Sequence, residues 1–222
     1  MKGFVIFRDR LRYGKRCVAA MMVAGLEPVV VDMGSSWPPA VAWLDHLDKS
    51  GVMVLRKGGG HPRGLWDWQP FTAAHAGDRY VVSDPDTVPS EMCPHNWVKH
   101  LGRMLDAHPV AVKAGLGLRI DNLPDHYARK RQVIEWETRW WEYPLGDGSY
   151  RAGVDTTMAL YPEEASEFRL DGALRTGPPY TADHLAWHEN FSRLPAEIRY
   201  YYDHAEPGIA HWAARGQSAW GD

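Results

Sequence analysis

The sequence is short of cysteine, of long apolar stretches and of any excess of charge. Cys17 and Cys93 are its only two cysteines, too few for a disulfide framework or a cysteine-rich zinc site, and they suit a reducing compartment. The longest nearly apolar run, Cys17 to Leu26, has ten residues, about half of the ~20 that a membrane-spanning helix needs. Arg8, Asp9, Arg10 and Arg12 interrupt the N-terminal apolar segment before it reaches the length of a secretory signal. A soluble, cytoplasmic protein is expected. Twenty-five Lys and Arg stand against 28 Asp and Glu, for a formal net charge of −3. That balance excludes a bulk electrostatic grip on nucleic acid, although a local basic groove survives it. No repeat or low-complexity tract is present.

Aromatic and turn-forming residues, by contrast, are abundant. Eleven Trp and ten Tyr accompany 21 Gly and 16 Pro among 222 residues. Hydrophobic residues make up 45% and charged residues 24%, proportions of a folded globular chain. Most of the aromatics suit an ordinary core or interface; stacking platforms for sugars or bases are the alternative use.

The first third alternates short β-branched runs with helical periodicity. Gly3 to Phe7, Pro28 to Asp32, Val52 to Leu55 and Arg79 to Ser83 read as strands. Leu11 to Gly25, Val41 to Lys49 and a segment reaching Ala76 read as helices. Such alternation predicts a mostly parallel, Rossmann-like sheet with right-handed crossovers, whose ligand lies at the carboxyl ends of the strands. Farther on, the pattern predicts a helix from about His95 to His108, a glycine-broken strand over Val110 to Ile120 and a helix over Ala128 to Trp141. A strand over Tyr150 to Tyr161 and a helix over Ala182 to Leu194 follow. No linker divides the chain, so one α/β domain spanning 1–222 is expected, nucleotide-binding over about 1–90 and shaping the acceptor side over about 91–222.

Three features carry chemistry. Asp84-Pro85-Asp86 ends the fourth strand, where Pro85 favours extended backbone for Asp84 and brings two carboxylates to one side. Two hard oxygen donors at a strand's carboxyl end suit Mg²⁺ or Mn²⁺ held together with substrate phosphates; a solvated turn is the plain alternative. Asp32, ending the second strand in VVVDMGSS, sits where an acidic residue can take a ribose hydroxyl or a base N–H, or serve a turn. The loop Gly58-Gly59-Gly60-His61-Pro62-Arg63 allows close approach to a diphosphate with Arg63 as its partner. It is not a Walker loop, since no Gly-Lys-Ser/Thr follows it. Asp155, in an otherwise apolar stretch, needs a partner if buried. Asp121, Asp125 and His126 form another polar cluster, on either the acceptor side or an ordinary loop.

In this order, an opening strand, VVVDMGSS, a glycine-rich loop and a strand running into SDPD, the chain resembles the GT-A glycosyltransferases, in particular the family 2-like bacterial or phage type. The segments FRDRLRY, SSWPP, GHPRGLW, DPDTVP, GLGLRIDNLPDHY, VIEWETRWW, GVDTTMALY and PPYTADHLAWH extend the resemblance over roughly residues 3–204. The resemblance implies a metal-dependent transfer of a sugar from a nucleoside-diphosphate sugar, UDP-linked by expectation, to an unknown hydroxyl. The acceptor is a glycan, a lipid, a protein or a modified DNA base. It implies Phe7, Arg8 and Asp32 near the nucleotide and Arg63 near the diphosphate. Asp84 and Asp86 would serve Mn²⁺ or Mg²⁺, with His184 as a third ligand. Asp183, at an expected helix start, is the implied general base, with a helix-dipole charge as the plain alternative; Asp155 is read as either the base in its place or one half of a structural ion pair. Alternatives are a nucleotidyltransferase of similar topology and a non-catalytic carbohydrate-binding protein.

Overall fold

A computed structural model describes residues 1–205 of the chain. The elements are β1 (Lys2–Phe7), α1 (Leu11–Val23), β2 (Glu27–Asp32), α2 (Pro38–Lys49), β3 (Met53–Arg56), α3 (Gln69–His75), β4 (Tyr80–Ser83), β5 (Thr87–Pro89), α4 (Trp97–Ala107), β6 (Ala114–Gly115), β7 (Gly117–Leu118), α5 (Lys130–Thr138), β8 (Ser149–Arg151), β9 (Ala159–Tyr161), β10 (Leu174–Thr176), β11 (Thr181–His184) and α6 (Ala196–His204). Eight strands form one mixed sheet in the order β3-β2-β1-β4-β9-β6-β10-β8, and β5, β11 and β7 form a smaller one. β3, β2, β1 and β4 run parallel, whereas β9 enters antiparallel to both β4 and β6.

β1, β2 and β4 of the parallel half are buried on both sides, which explains their continuous apolar runs; β3 is its partly exposed edge. Along β1, Phe4 and Ile6 join the core cluster on one face of the sheet, and Val5 and Phe7 join the cluster on the other. β2 and β4 repeat the alternation: Val29, Val31, Tyr80 and Val82 face one side, Val30 and Val81 the other. α1 buries Tyr13, Cys17, Val18 and Met21 against its face. Chain order reverses between β1 and β4, so a crevice opens at the carboxyl ends of these strands, the place where open α/β sheets bind ligands.

Four expectations change. The helix expected from Val41 begins earlier: Pro38 and Pro39 open α2, where proline's fixed φ and missing N–H suit the first helical turn. The strand expected over Val110 to Ile120 breaks at Leu116 into β6, in the large sheet, and β7, in the small one. Both glycines there permit close approach: a Cβ on Gly115 would lie 2.7 Å from the Val154 side chain, and one on Gly117 2.4 Å from the Thr176 carbonyl oxygen. The strand expected over Tyr150 to Tyr161 is β8 and β9 separated by an irregular stretch that carries Asp155. The helix expected over Ala182 to Leu194 is strand β11 followed by 3-10 turns at Leu185–His188 and Phe191–Arg193. Pairing decides that last case. β11 fills the gap between β5 and β7, with Ala182 opposite Pro89 and Leu118, and this ladder overrides a helical spacing of apolar residues.

Candidate active site

The crevice holds a cleft of about 250 Å³ whose lining includes Phe7, Arg8, Arg10, Arg63, Asp84, Asp86, Asp155 and His184. Residues from β1 and β11 and from the loops that follow β1, β3, β4 and β8 therefore converge at the strand ends. The Asp84-Pro85-Asp86 segment is not extended, as the proline suggested. It is a turn closed by the Thr87 N–H on the Asp84 carbonyl at 3.3 Å, with Pro85 at the second position that its ring favours. Both carboxylates still face the cleft.

The two aspartates differ in charge environment. Asp84 accepts a 2.8 Å hydrogen bond from Thr156 Oγ1. Burial, then the charges of Asp86 and Asp155, push its carboxyl well above the usual carboxylate range. Asp86 is just as buried, but Arg10 and His184 outweigh burial and hold its carboxyl below the usual range. Arg10 Nη1 donates to Asp86 Oδ2 at 2.5 Å, and the Arg10 guanidinium lies over the Tyr201 ring at 4.6 Å. His184 stacks on Trp187 at 4.5 Å, with Nε2 3.8 Å from Asp86 Oδ2. Burial lowers the basicity of this imidazole, and its Nδ1 is enclosed without a hydrogen-bond partner.

This donor set fits a divalent ion of the Mg²⁺ or Mn²⁺ kind. Asp86 and the His184 Nε2 face each other beyond hydrogen-bond distance, an oxygen and a nitrogen donor placed to share one ion. Among the described residues no three His, Cys, Asp or Glu side chains converge closely enough to hold an ion unaided. The remaining ligands would come from phosphate and water, as is usual for hard divalent ions at nucleotide sites.

The other expected residues separate into two places. Phe7 is fully buried, and its edge reaches the cleft. Arg8 donates to the His204 carbonyl at 3.0 Å, which ties the end of β1 to α6. Arg63, on the 3-10 turn Pro62–Leu65, lies 3.3 Å from an Asp155 carboxylate oxygen; both side chains are about half exposed, so the pair is weak. Gly58, Gly59 and Gly60, all with positive φ, form the loop that delivers it. Asp155 is thus a half-exposed cleft carboxylate rather than a buried one. Asp32 is buried beside the cleft: it accepts the Ser35 N–H at 2.8 Å and lies 3.8 Å from Arg56, while its neighbour Met33 lines the cavity.

Asp183 lies elsewhere. It is a strand residue, not a helix start, and strand alternation turns it away from its neighbour His184. It accepts a 2.9 Å hydrogen bond from Asn122 and faces a second pocket, of about 360 Å³, with Arg12, Arg16 and His188. Asp121 and Asp125 pair locally with Arg119 and Lys130.

Sequence reasoning missed Arg10, Glu137, Arg175 and Tyr201, all of which line the cleft. Arg175 donates to Glu137 at 2.6 Å, a buried ion pair beside Trp136 and Trp140. A lone Arg or Glu within helical or strand spacing leaves no mark in sequence; only the pairing of α5 with β10 reveals this couple. Arg10 stood in view within FRDRLR, where three arginines look alike until the turn directs one of them inward.

No family model and no curated protein matches the chain. Among solved structures, the mannosyltransferase PcManGT from Pyrobaculum calidifontis, in complex with GDP-Man and Mn²⁺, aligns over 98% of this chain and 76% of its own. Its identity is 14% and its TM-score 0.50. GalNAc-T7 with UDP, GalNAc and Mn²⁺ aligns over 82% of this chain and 43% of its own, at 12% identity and a TM-score of 0.53. A UTP-bound UGPase from Acinetobacter baumannii aligns over 93% and 95%, at 11% identity and a TM-score of 0.49. The shared feature is the fold, a GT-A-like α/β architecture with a central mixed sheet.

Proposed function

We propose that this GT-A-like protein is a metal-dependent glycosyltransferase that moves a sugar from a nucleoside-diphosphate sugar to a hydroxyl acceptor. One observation carries the reading: the Asp84-Pro85-Asp86 turn, His184 and Arg63 meet in one cleft at the chain reversal of the sheet. Two transferases of like fold, whose structures hold GDP-Man and Mn²⁺ or UDP, GalNAc and Mn²⁺, support it.

In this reading Phe7, Arg8 and Asp32 border the nucleotide, and Arg63 faces the diphosphate from the glycine loop. Asp86 and His184 would hold Mn²⁺ or Mg²⁺, with Asp84 behind them. The ion would stabilise negative charge on the leaving diphosphate. Asp84 keeps the turn in place through Thr156 Oγ1 and through its own N–H on the Thr156 carbonyl at 2.7 Å. If the anomeric centre inverts, the acceptor's proton goes to Asp155. Of the two carboxylates considered for that role, Asp155 lines the cleft and Asp183 does not. UDP is the first nucleotide to try. Among the described residues no helix is long and apolar enough to cross a membrane.

A thermal-shift screen of UDP, GDP and their sugar conjugates, with and without Mn²⁺, tests the reading. A ligand present at 100 times its Kd stabilises by about 2.7 kcal/mol. That raises Tm by roughly 5–10 °C in a chain of this size. The shift should need Mn²⁺ and disappear in Asp86→Asn. A flat response to every nucleoside diphosphate with metal present would overturn it.

A further inference from the structure

The turn that links β1 to α1 is built to aim one cation inward. Asp9 adopts a left-handed φ of 58° and is itself buried. Its carboxylate accepts the N–H groups of Ser36 at 2.7 Å and Trp37 at 2.8 Å, fastening this turn to the loop after β2. The next residue, Arg10, enters the cleft with its side chain 16% exposed against 4% for Asp86. Tyr201 covers one face of the guanidinium. Arg10 Nε is enclosed without a hydrogen-bond partner, so a group that offers five donors in a fork suited to phosphate is under-used where it stands.

We propose that Arg10 is a second diphosphate-binding cation of the cleft, beside Arg63, neutralising Asp86 in the free protein and turning onto the donor's phosphates when Asp86 takes a divalent ion. The inference rests on the sugar-nucleotide reading above. Its logic is charge balance. One buried cation and one buried anion offset each other before the donor arrives. A divalent ion on Asp86 leaves the guanidinium beside a like charge, and an anion bridging both restores the balance. A diphosphate chelating that ion on its Arg10 side would meet the guanidinium, because Arg10 and Asp86 are already in hydrogen-bond contact. Metal and diphosphate should therefore bind cooperatively, and Arg10 should weaken the binding of metal alone.

Calorimetry with MnCl₂, UDP and UMP tests this on the full chain, with GDP and GMP used instead if the screen favours guanine. In Arg10→Ala, Mn²⁺ alone should bind at least threefold tighter than to the wild type. UDP with saturating Mn²⁺ should bind at least tenfold weaker, and UMP, which lacks the β-phosphate, should change less than threefold. Unchanged UDP affinity would overturn the proposal and leave Arg10 as a structural partner of Asp86. Should Arg10→Ala not fold, because it strands a buried carboxylate, the Arg10→Ala/Asp86→Asn pair removes both charges. UDP without metal should then bind the double variant about tenfold more weakly than Asp86→Asn; equal affinities overturn the proposal. Wild-type protein that binds neither UDP nor GDP with Mn²⁺ removes the sugar-nucleotide reading itself, and this inference with it.

Discussion

Lys113 shows how much of the site depends on single buried charges. It is fully buried, donates to Tyr161 Oη at 3.1 Å and to the Asp155 carbonyl at 3.3 Å, and lies over Phe168 at 4.2 Å. Burial, which Asp155 opposes and Arg63 and Arg175 reinforce, pushes its amine down to about 7. From pH 7 up to the ordinary lysine range, the unfolded chain holds this proton and the folded chain has released it. Stability therefore rises with pH across that window, by up to about 1.4 kcal/mol per unit. Lys113→Met keeps the length of the side chain and removes the titration. Denaturant melts should show the variant gaining on the wild type as pH falls from 9 to 7, with a flatter profile over that range. Parallel profiles would mean that the amine stays charged. Nothing in the sequence marked Lys113, because a lysine between apolar residues reads as a solvated exception. Asp84 and Asp86 were legible, since their place after β4 follows from chain order.

At the scale of elements, legibility followed the origin of each element's stability. β1, β2 and β4 were readable because strands buried on both faces must be continuously apolar, and β3, a partly exposed edge strand, from its own β-forming residues. α1 was readable from its own spacing. β11 was not, because a four-residue strand is fixed by β5 and β7, which lie some 95 and 65 residues earlier in the chain. α6, with Glu197, Ile198 and Tyr201 buried, is short and rich in tyrosine, and nothing in the residues before it announces a helix. Gly117 allows a direct test of the step from large sheet to small. A methyl group there would sit 2.4 Å from the Thr176 carbonyl and 2.7 Å from the Trp141 ring, so Gly117→Ala must displace backbone. Overpacking of this kind costs about 1–3 kcal/mol, or roughly 2–12 °C in Tm. Gly64→Ala, with nothing within 4 Å of the new methyl, is the control and should stay within ~0.5 kcal/mol. Equal melting of the two variants would show that β7 yields without cost and that the break at Leu116 has another cause.

The molecule as a whole is a sheet with one face packed by α1, α2 and α4 and the other filled by an aromatic cluster, and that second face sets its response to acid. His75 ends α3 inside the cluster, stacked on Tyr80 at 3.8 Å, with Tyr80 in turn stacked on Tyr161 at 5.1 Å. Both His75 ring nitrogens are enclosed without hydrogen-bond partners, and burial lowers its basicity below that of free histidine. His184, across the sheet, shifts the same way for the same first reason. Between the lowered folded value and the ordinary 6.5, the unfolded chain takes up protons that the folded chain refuses. These histidines thus contribute stability that is fully present above about pH 6.5 and is lost as pH falls through the folded value. Asp84 works against the trend, since a carboxyl raised in the folded state recovers stability when it is protonated. A melt of the wild type alone therefore mixes opposite signs, and a variant must separate them. His75→Phe conserves shape and ring stacking and removes two unsatisfied nitrogens, a change expected to be neutral or stabilising at pH 7.5. On going from pH 7.5 to 5.5, the wild type should lose more in Tm than His75→Phe, because only the wild type must keep that imidazole uncharged. An equal loss in both would place the acid sensitivity at the other histidines whose basicity burial lowers, His100, His184 and His188, and would show that protonated His75 finds solvent without disturbing the aromatic face.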